Sequence, residues 1–446
     1  MTETFKDPKD LASAVLTTLK RIGSEEVSID VLTMLFQTMY HVSMKTEEGE
    51  SLRIRVVFMN PDEQERDKPQ YTSADRWSFV ALEEPLPFAT ATVAKIAMAT
   101  DPRSSSIAVY PDENDNLLIL GLVDQAHTYY NFINYEAESG PTFPGLFEVT
   151  VESTGCVSVS SGYKKVAELR VGRLVKFSPD VLSRGPVCEF LNYGMEKYIS
   201  QVRGKVGEEI YNDRDHWDAT LSNYWMTLIS RILLRIRRYN HGGALLIKGH
   251  PSNSYLNIKH EITYKRLQQS SIRRGSLTIE STYAEDKIME QLDEEELEAI
   301  TSELYLDAHV FSDRLKNVRS ELDGALWFVS LLSRVDGLVL LSKAMIVKGF
   351  GVEIKIAEPP PSVFVSRLPN PNVHQLKEMD YNHFGTRHRS MMRYCWKYPK
   401  SLGLVVSQDG DVRAIKRVKD KLILWESIKI ELQPFIAIKK RKRKKK

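Results

Sequence analysis

Three cysteines in 446 residues leave little room for thiol chemistry. Cys156, Cys188 and Cys395 lack metal-ligand spacing and are odd in number, so neither a zinc site nor a disulfide framework is expected, which fits a reducing cytoplasm. Long apolar runs are missing too: the stretch 325–332 falls far short of the roughly 20 residues that span a bilayer. The N-terminus has no leader-like pattern, since Glu3, Asp7 and Asp10 stand among the first residues. There is no large excess of either charge, no internal repeat, and too much apolar content (42%) for disorder. The length exceeds one ordinary core, so two or three domains are expected.

Charge is concentrated at one end. The last eight residues, 439–446, are all Lys or Arg, and removing those eight positive charges takes the net charge from +2 to −6. Such a tail repels itself and is expected to be disordered, with weak non-specific polyanion contact or a solubility role as the leading reading and a functional polyanion anchor as the alternative. The acidic body argues against a dedicated nucleic-acid binder, and an adaptor acting through the tail is the third-ranked reading.

Hydrophobic periodicity divides the rest. Residues 10–46 carry helix-like patterning before the strand-like 52–58, and further short strand candidates at 106–109, 117–122, 146–151, 156–160 and 166–174 indicate a β-rich module. Residues 191–238 turn helical, with Trp217, Leu221, Trp225, Leu228 and Ile232 at steps of three or four, and stop at His241-Gly242-Gly243 before a strand. His241 is read as a cap or turn residue, and Trp217, Tyr224 and Trp225 as core. The acid-rich 284–301 reads as an amphipathic helix with a solvated acidic face or, as the alternative, as a signalling helix between modules, with Ile288, Met289, Leu292, Leu297 and Ile300 on its buried side.

Two segments carry chemistry. Leu322, Leu326, Val329, Leu332 and Val335 recur at helical spacing and lead into Asp336-Gly337-Leu338 and the buried-strand run 339–341. About fifty residues on, Gly385-Thr386-Arg387-His388-Arg389 reads as the entrance to a helix, where unpaired N–H groups, the helix dipole and adjacent cations suit a polyphosphate. Strand Gly403-Leu404-Val405-Val406 follows. A second Asp-Gly pair, at Asp323-Gly324-Ala325, falls inside the helical pattern and is read as a solvent-facing helix segment.

The order DGL, then GTRHR, then VVSQDGDVRAI over residues 310–430 resembles the catalytic domain of the diadenylate cyclases, which join two ATP into cyclic di-AMP; Leu338 replaces the family's Ala. The resemblance implies a mixed sheet flanked by helices. It also implies that Asp336 and Gly337 are catalytic, with Asp336 holding Mg²⁺ or Mn²⁺, and that Gly385, Thr386, Arg387, His388 and Arg389 bind the ATP phosphates. Thr386 would cap the helix or add a hydroxyl. Gln408 fills a position that is often acidic in the family, leaving Asp409 as a second candidate metal ligand; hairpin-turn chemistry is the competing reading of 408–411. Because each subunit would hold one ATP, a face-to-face homodimer is implied. An ATP-binding regulator without catalysis is the second-ranked reading.

The segments YNHGGALLI and ESTGCVSVSSGYKKVAELRVGRLV are similar to sensor modules found ahead of some bacterial diadenylate cyclase domains, which implies an unidentified sensor ligand. The expected layout is a helix-plus-strand region at 1–100, a sensor-like module at 101–283, an acidic helical connector at 284–309, a cyclase-like domain at 310–435 and a basic tail at 436–446. The expected class is α+β or α/β, multidomain: a β-rich N-terminal sensor region followed by a C-terminal mixed sheet flanked by helices.

Overall fold

Short apolar strands, the central ones buried on both faces, build one large mixed β-sheet in each half of the chain. The computed structural model describes residues 5–430 apart from 22–26, 48, 61–76, 126–142, 163, 176–180, 240, 294–301, 372–375 and 409. Two compact units result, Met1–Phe177 and Ser178–Lys446.

The first unit opens with helices α1 (Pro8–Arg21) and α2 (Ile29–Ser43); Ser28 caps α2 by accepting from the Val31 N–H. A two-residue hairpin, β1 (Thr46–Glu47) and β2 (Glu50–Ser51), precedes β3 (Ile54–Phe58), β4 (Ser78–Pro87), helix α3 (Thr90–Ala97), β5 (Ser105–Pro111) and β6 (Leu117–Asp124). Strands β7 (Phe147–Ser153), β8 (Cys156–Ser161), β9 (Lys164–Arg170) and β10 (Arg173–Val175) complete it. The order across the eight-stranded sheet is β10-β9-β8-β7-β3-β5-β6-β4, with β3 and β5 parallel. One face packs on α1 and α2 through Ile54, Val56, Val149, Val151, Val157 and Val159.

In the second unit, α4 (Gly185–Val206) ends at Gly207, φ +86°, and α5 (Arg214–Arg238) is capped by the Asp213 side chain. Then come β11 (Gly243–Lys248), β12 (Leu256–Tyr264), α6 (Arg266–Asp293), α7 (Ser302–Leu332), β13 (Leu338–Ser342), β14 (Val347–Ile354), β15 (Val363–Ser366) and β16 (Lys377–Met379). Last are α8 (Thr386–Lys397), β17 (Ser401–Val406), β18 (Val412–Val418) and β19 (Lys421–Trp425). The nine strands run β12-β14-β13-β11-β17-β18-β19-β15-β16, with β11–β13 and β15–β19 parallel. The period of two sorts the core: Leu245, Ile247, Val339, Leu341 and Leu404 face α4, α5, α6 and α7, while Ala244, Leu246, Leu340 and Val405 face α8.

The class matches expectation: two mixed sheets, the first unit β-rich and the second flanked by helices. Borders differ from those drawn on the sequence. Position 100 lies between two elements of the first unit, 283 lies inside α6 and 309 inside α7, and β11 (from YNHGGALLI) sits at the centre of the second sheet. Strand pairing across long sequence separations made these units, and composition along the chain does not record it. Met289 is 56% exposed instead of buried, and Leu292, Leu297, Ile300, Asp409 and the basic tail lie outside the side chains described. Trp217, Tyr224 and Trp225 are core, with Trp225 stacked on Tyr198. No helix among the described residues is long and apolar enough to cross a membrane.

Candidate functional site

The parallel neighbours β11 and β13 begin at the same end of the sheet: Leu245 is in register with Val339, so two residues back Gly243 stands opposite Gly337. On the other side of β11, antiparallel β17 brings Val406 opposite Gly243. Three connections therefore meet at this edge: the His241-Gly242 bend, the Asp336-Gly337 turn and the β17–β18 turn.

Asp336 is exposed at the mouth of β13. The turn behind it needs glycine. Gly337 has φ +117°, and a Cβ there would lie 2.6 Å from the Gly351 carbonyl carbon and 2.8 Å from the Val352 nitrogen. Leu338 pairs with Val352 and buries its side chain in the α8-side core, so the residue that departs from the Asp-Gly-Ala pattern serves as packing. On the neighbouring edge strands, Glu353 takes hydrogen bonds from Lys259, Lys355 and Asn257, which hold its carboxyl down at about 2. Lys259 is raised in turn, by Glu353 first and more weakly by Asp336.

The other Asp-Gly pair is different in kind. Asp323 and Gly324 lie within α7, and nothing stands within 4 Å of a Cβ on Gly324. Asp323 was expected to face solvent; instead it is half-buried and ion-paired with Arg231, which is 2% exposed on α5. A buried guanidinium demands that partner.

The basic segment opens α8. Gly385 is the N-cap, with no side-chain capping bond, and Thr386 is the exposed first helical residue. The cap expected of Thr386 thus belongs to Gly385, and the Thr386 hydroxyl is left at the open N-terminal turn. Arg387 is half-buried, and its Nη1 would be 2.9 Å from a Cβ on Gly242, which also faces the Val406 carbonyl and the Gln408 N–H. Gly242 has φ +68°, so both backbone shape and the Val406 carbonyl, 2.9 Å from such a Cβ, exclude a side chain. His388 is buried at 8% exposure, with Nε2 3.1 Å from Arg413 Nη1 on β18. Donation from the guanidinium makes that ring nitrogen the acceptor, a tautomer assigned by the bond. Arg389 Nε is buried with no hydrogen-bond partner.

Arg413 ties the turn to the helix. Its Nη1 also donates to Ser407 Oγ at 3.3 Å, and its Nε is 2.9 Å from Asp411. Ser407 N–H donates to the Asp411 carbonyl, and Gly410 N–H to that of Ser407, so these residues close a hairpin connection between antiparallel β17 and β18. Sequence reading passed over Arg413 and Gly242. Strand alternation places Arg413 on the same sheet face as Ile415, toward α8, and that parity was the available signal.

A polyphosphate suits this edge, where the open N-terminus of α8 and Arg387, over a glycine bend, lie beside the connection that carries the exposed Asp336. No cluster of three or more His, Cys, Asp or Glu able to hold a metal occurs among the described residues. One carboxylate completed by phosphate oxygens is nevertheless how Mg²⁺ is commonly held, and the hard oxygen of Asp336 fits it.

Residues 24–124 match a family model described as "Probable sensor domain DACNV". This match covers α2 to β6 of the first unit, largely ahead of the sensor module expected at 101–283. No curated protein matches the chain. Among solved structures, a hypothetical membrane spanning protein from Bacillus cereus aligns at 12% identity over 53% of this chain and 90% of that one, with a TM-score of 0.22.

Proposed function

We propose that the chain is a sensor-regulated diadenylate cyclase, in which the first unit reads a signal and the strand-end site of the second joins two ATP into cyclic di-AMP. The observation that carries this reading is the meeting at one sheet edge of Asp336-Gly337, a glycine turn no other residue fits, with the cationic first turn of α8. The GTRHR and DGL motifs supply the reaction class, and the sensor-domain match supplies the regulatory half.

In this reading Arg387 and Arg389 hold the phosphates, and the free N–H groups after Gly385 add directional donors at the positive end of the helix. His388, buried against Arg413, acts chiefly through that arginine to fix the 407–411 turn. Asp336 takes the proton of the ribose 3′-hydroxyl, whose oxygen forms a bond to the α-phosphorus of the other ATP as the bond to pyrophosphate breaks. Two such displacements close the ring and release two pyrophosphates. Mg²⁺ or Mn²⁺, held by Asp336 and phosphate oxygens, would supply charge neutralisation. Each ATP needs the other's hydroxyl in line, so the reaction requires two copies of the chain face to face.

Purified full-length chain incubated with ATP and Mn²⁺ should yield cyclic di-AMP by mass spectrometry, and Asp336→Asn should yield none. Equal product from both removes Asp336 from the reaction; ATP-dependent thermal protection without product in the wild type, with and without candidate activating ligands, favours an ATP-binding regulator instead.

A further inference from the structure

The two faces of the first unit's sheet are unlike. The α1/α2 face is apolar throughout, whereas the opposite face carries buried polar groups that secondary structure does not need. On β5, Ser106 is fully buried and its Oγ has no hydrogen-bond partner; just past β6, Gln125 is also fully buried, with both amide atoms unpartnered. Trp77 adds a buried indole N–H without a partner.

Register brings these together. Ser78 pairs with Asp124, so the preceding Trp77 stands opposite Gln125; Gln125 N–H donates to the Ser104 carbonyl, two residues from Ser106 on the same face. Val56 pairs with Ile107, which puts Arg55 beside Ser106, and buried Arg55 lies 3.8 Å from Glu148 of β7. Val57, Met59, Ala108 and Val123 form a small apolar cluster on this face, packed by Trp77 and Phe79.

An unpaired buried amide costs about 1–3 kcal/mol, and native folds leave few such groups without a reason. Three side chains so placed on adjoining strands, next to an apolar patch and a buried guanidinium, have the make-up of a small-molecule site: apolar lining with a few convergent polar groups. Among the described side chains the indole N–H and the amide NH₂ donate, the amide carbonyl accepts, the hydroxyl does either, and the Arg55 guanidinium, partnered by Glu148, stands beside them.

We infer that this face is the ligand site of the sensor unit, and that it takes a small organic anion whose oxygens meet Ser106, Gln125, Trp77 and Arg55 while a short apolar body lies on Val57, Ala108 and Val123. The inference rests on the sensor reading of this unit, but binding is measured apart from activity, so the two fail separately.

The test uses the full chain, followed by thermal unfolding and Trp fluorescence, titrated with the straight-chain carboxylates from acetate to hexanoate and, separately, with inorganic phosphate. At least one series should raise the Tm saturably, with a carboxylate's effect growing with chain length, and the shift should vanish in Ser106→Ala and Gln125→Met. Because each substitution removes an unsatisfied polar group, the ligand-free variants should melt at or above the wild-type temperature. A lower ligand-free Tm in both variants, an undiminished anion shift in both, or no shift with any probe overturns the site. Saturable binding that leaves cyclic di-AMP production unchanged supports the site and refutes its sensory role.

Discussion

Of the two Asp-Gly pairs, only one can tolerate alanine, and this separates a site turn from a helix segment without any activity assay. In Gly337→Ala the new methyl meets only backbone: the Gly351 carbonyl carbon at 2.6 Å, the Val352 nitrogen at 2.8 Å and the Gly351 Cα at 2.9 Å. None of these can rotate away, and φ is +117°. A disallowed backbone conformation costs about 1–3 kcal/mol and overpacking a similar amount, so a loss of roughly 2–6 kcal/mol is expected. Gly324→Ala meets nothing within 4 Å on a helix, where alanine replaces glycine with a gain of up to about 1 kcal/mol. Urea unfolding of both variants, with the midpoint and slope compared with wild type, reads the contrast. A Gly337→Ala midpoint within about 0.5 kcal/mol of wild type would refute the claim that β13 and β14 close on this turn.

Two further outcomes follow from named contacts. Burial, working against the attraction of Arg55, pushes the Glu148 carboxyl up to about 7 from an unfolded value of 4.5. Its contribution to stability is therefore complete below 4.5 and falls as pH rises toward 7, by up to about 3 kcal/mol across that window; Glu148→Gln should flatten that part of the Tm profile, and an unchanged slope contradicts the assignment. Gly242→Ala places a methyl 2.9 Å from both Arg387 Nη1 and the Val406 carbonyl at φ +68°, so thermal protection by ATP should weaken at least tenfold in apparent affinity, and wild-type protection would separate Arg387 from the nucleotide.

Most elements were legible because their signals are local. The alternation in 117–122 and 156–160 and the helical spacing from Leu322 to Leu332 each survive as β6, β8 and α7. What was lost is long-range. YNHGGALLI reads as a strand after a helix stop wherever it lies, and only pairing with Val339, far along the chain, and with Val406 puts it in the second sheet. The same limit hid Gly242, whose second constraint comes from the Val406 carbonyl, and turned Asp323 from a surface residue into the counter-ion of Arg231. Asp336 is separated from Asp323 by local pattern, a strand-length apolar run at 339–341, and that run lies in β13.

The contrast between the two sheets bears on where each unit does its work. In the second sheet the central strands are apolar on both faces, with α4 to α7 on one and α8 on the other, and the Asp336-Gly337 turn and the start of α8 lie at a strand end. The parallel pair β11–β13 opens at its N-terminal end, unlike the carboxyl-end crevice of doubly wound sheets, because antiparallel β17 brings its own C-terminus to the same edge and α8 returns its N-terminus there. In the first sheet a single face is apolar throughout, and the other holds Ser106, Gln125 and Arg55 at a cost in stability that packing alone does not explain. Edge and face thus divide the two proposed tasks.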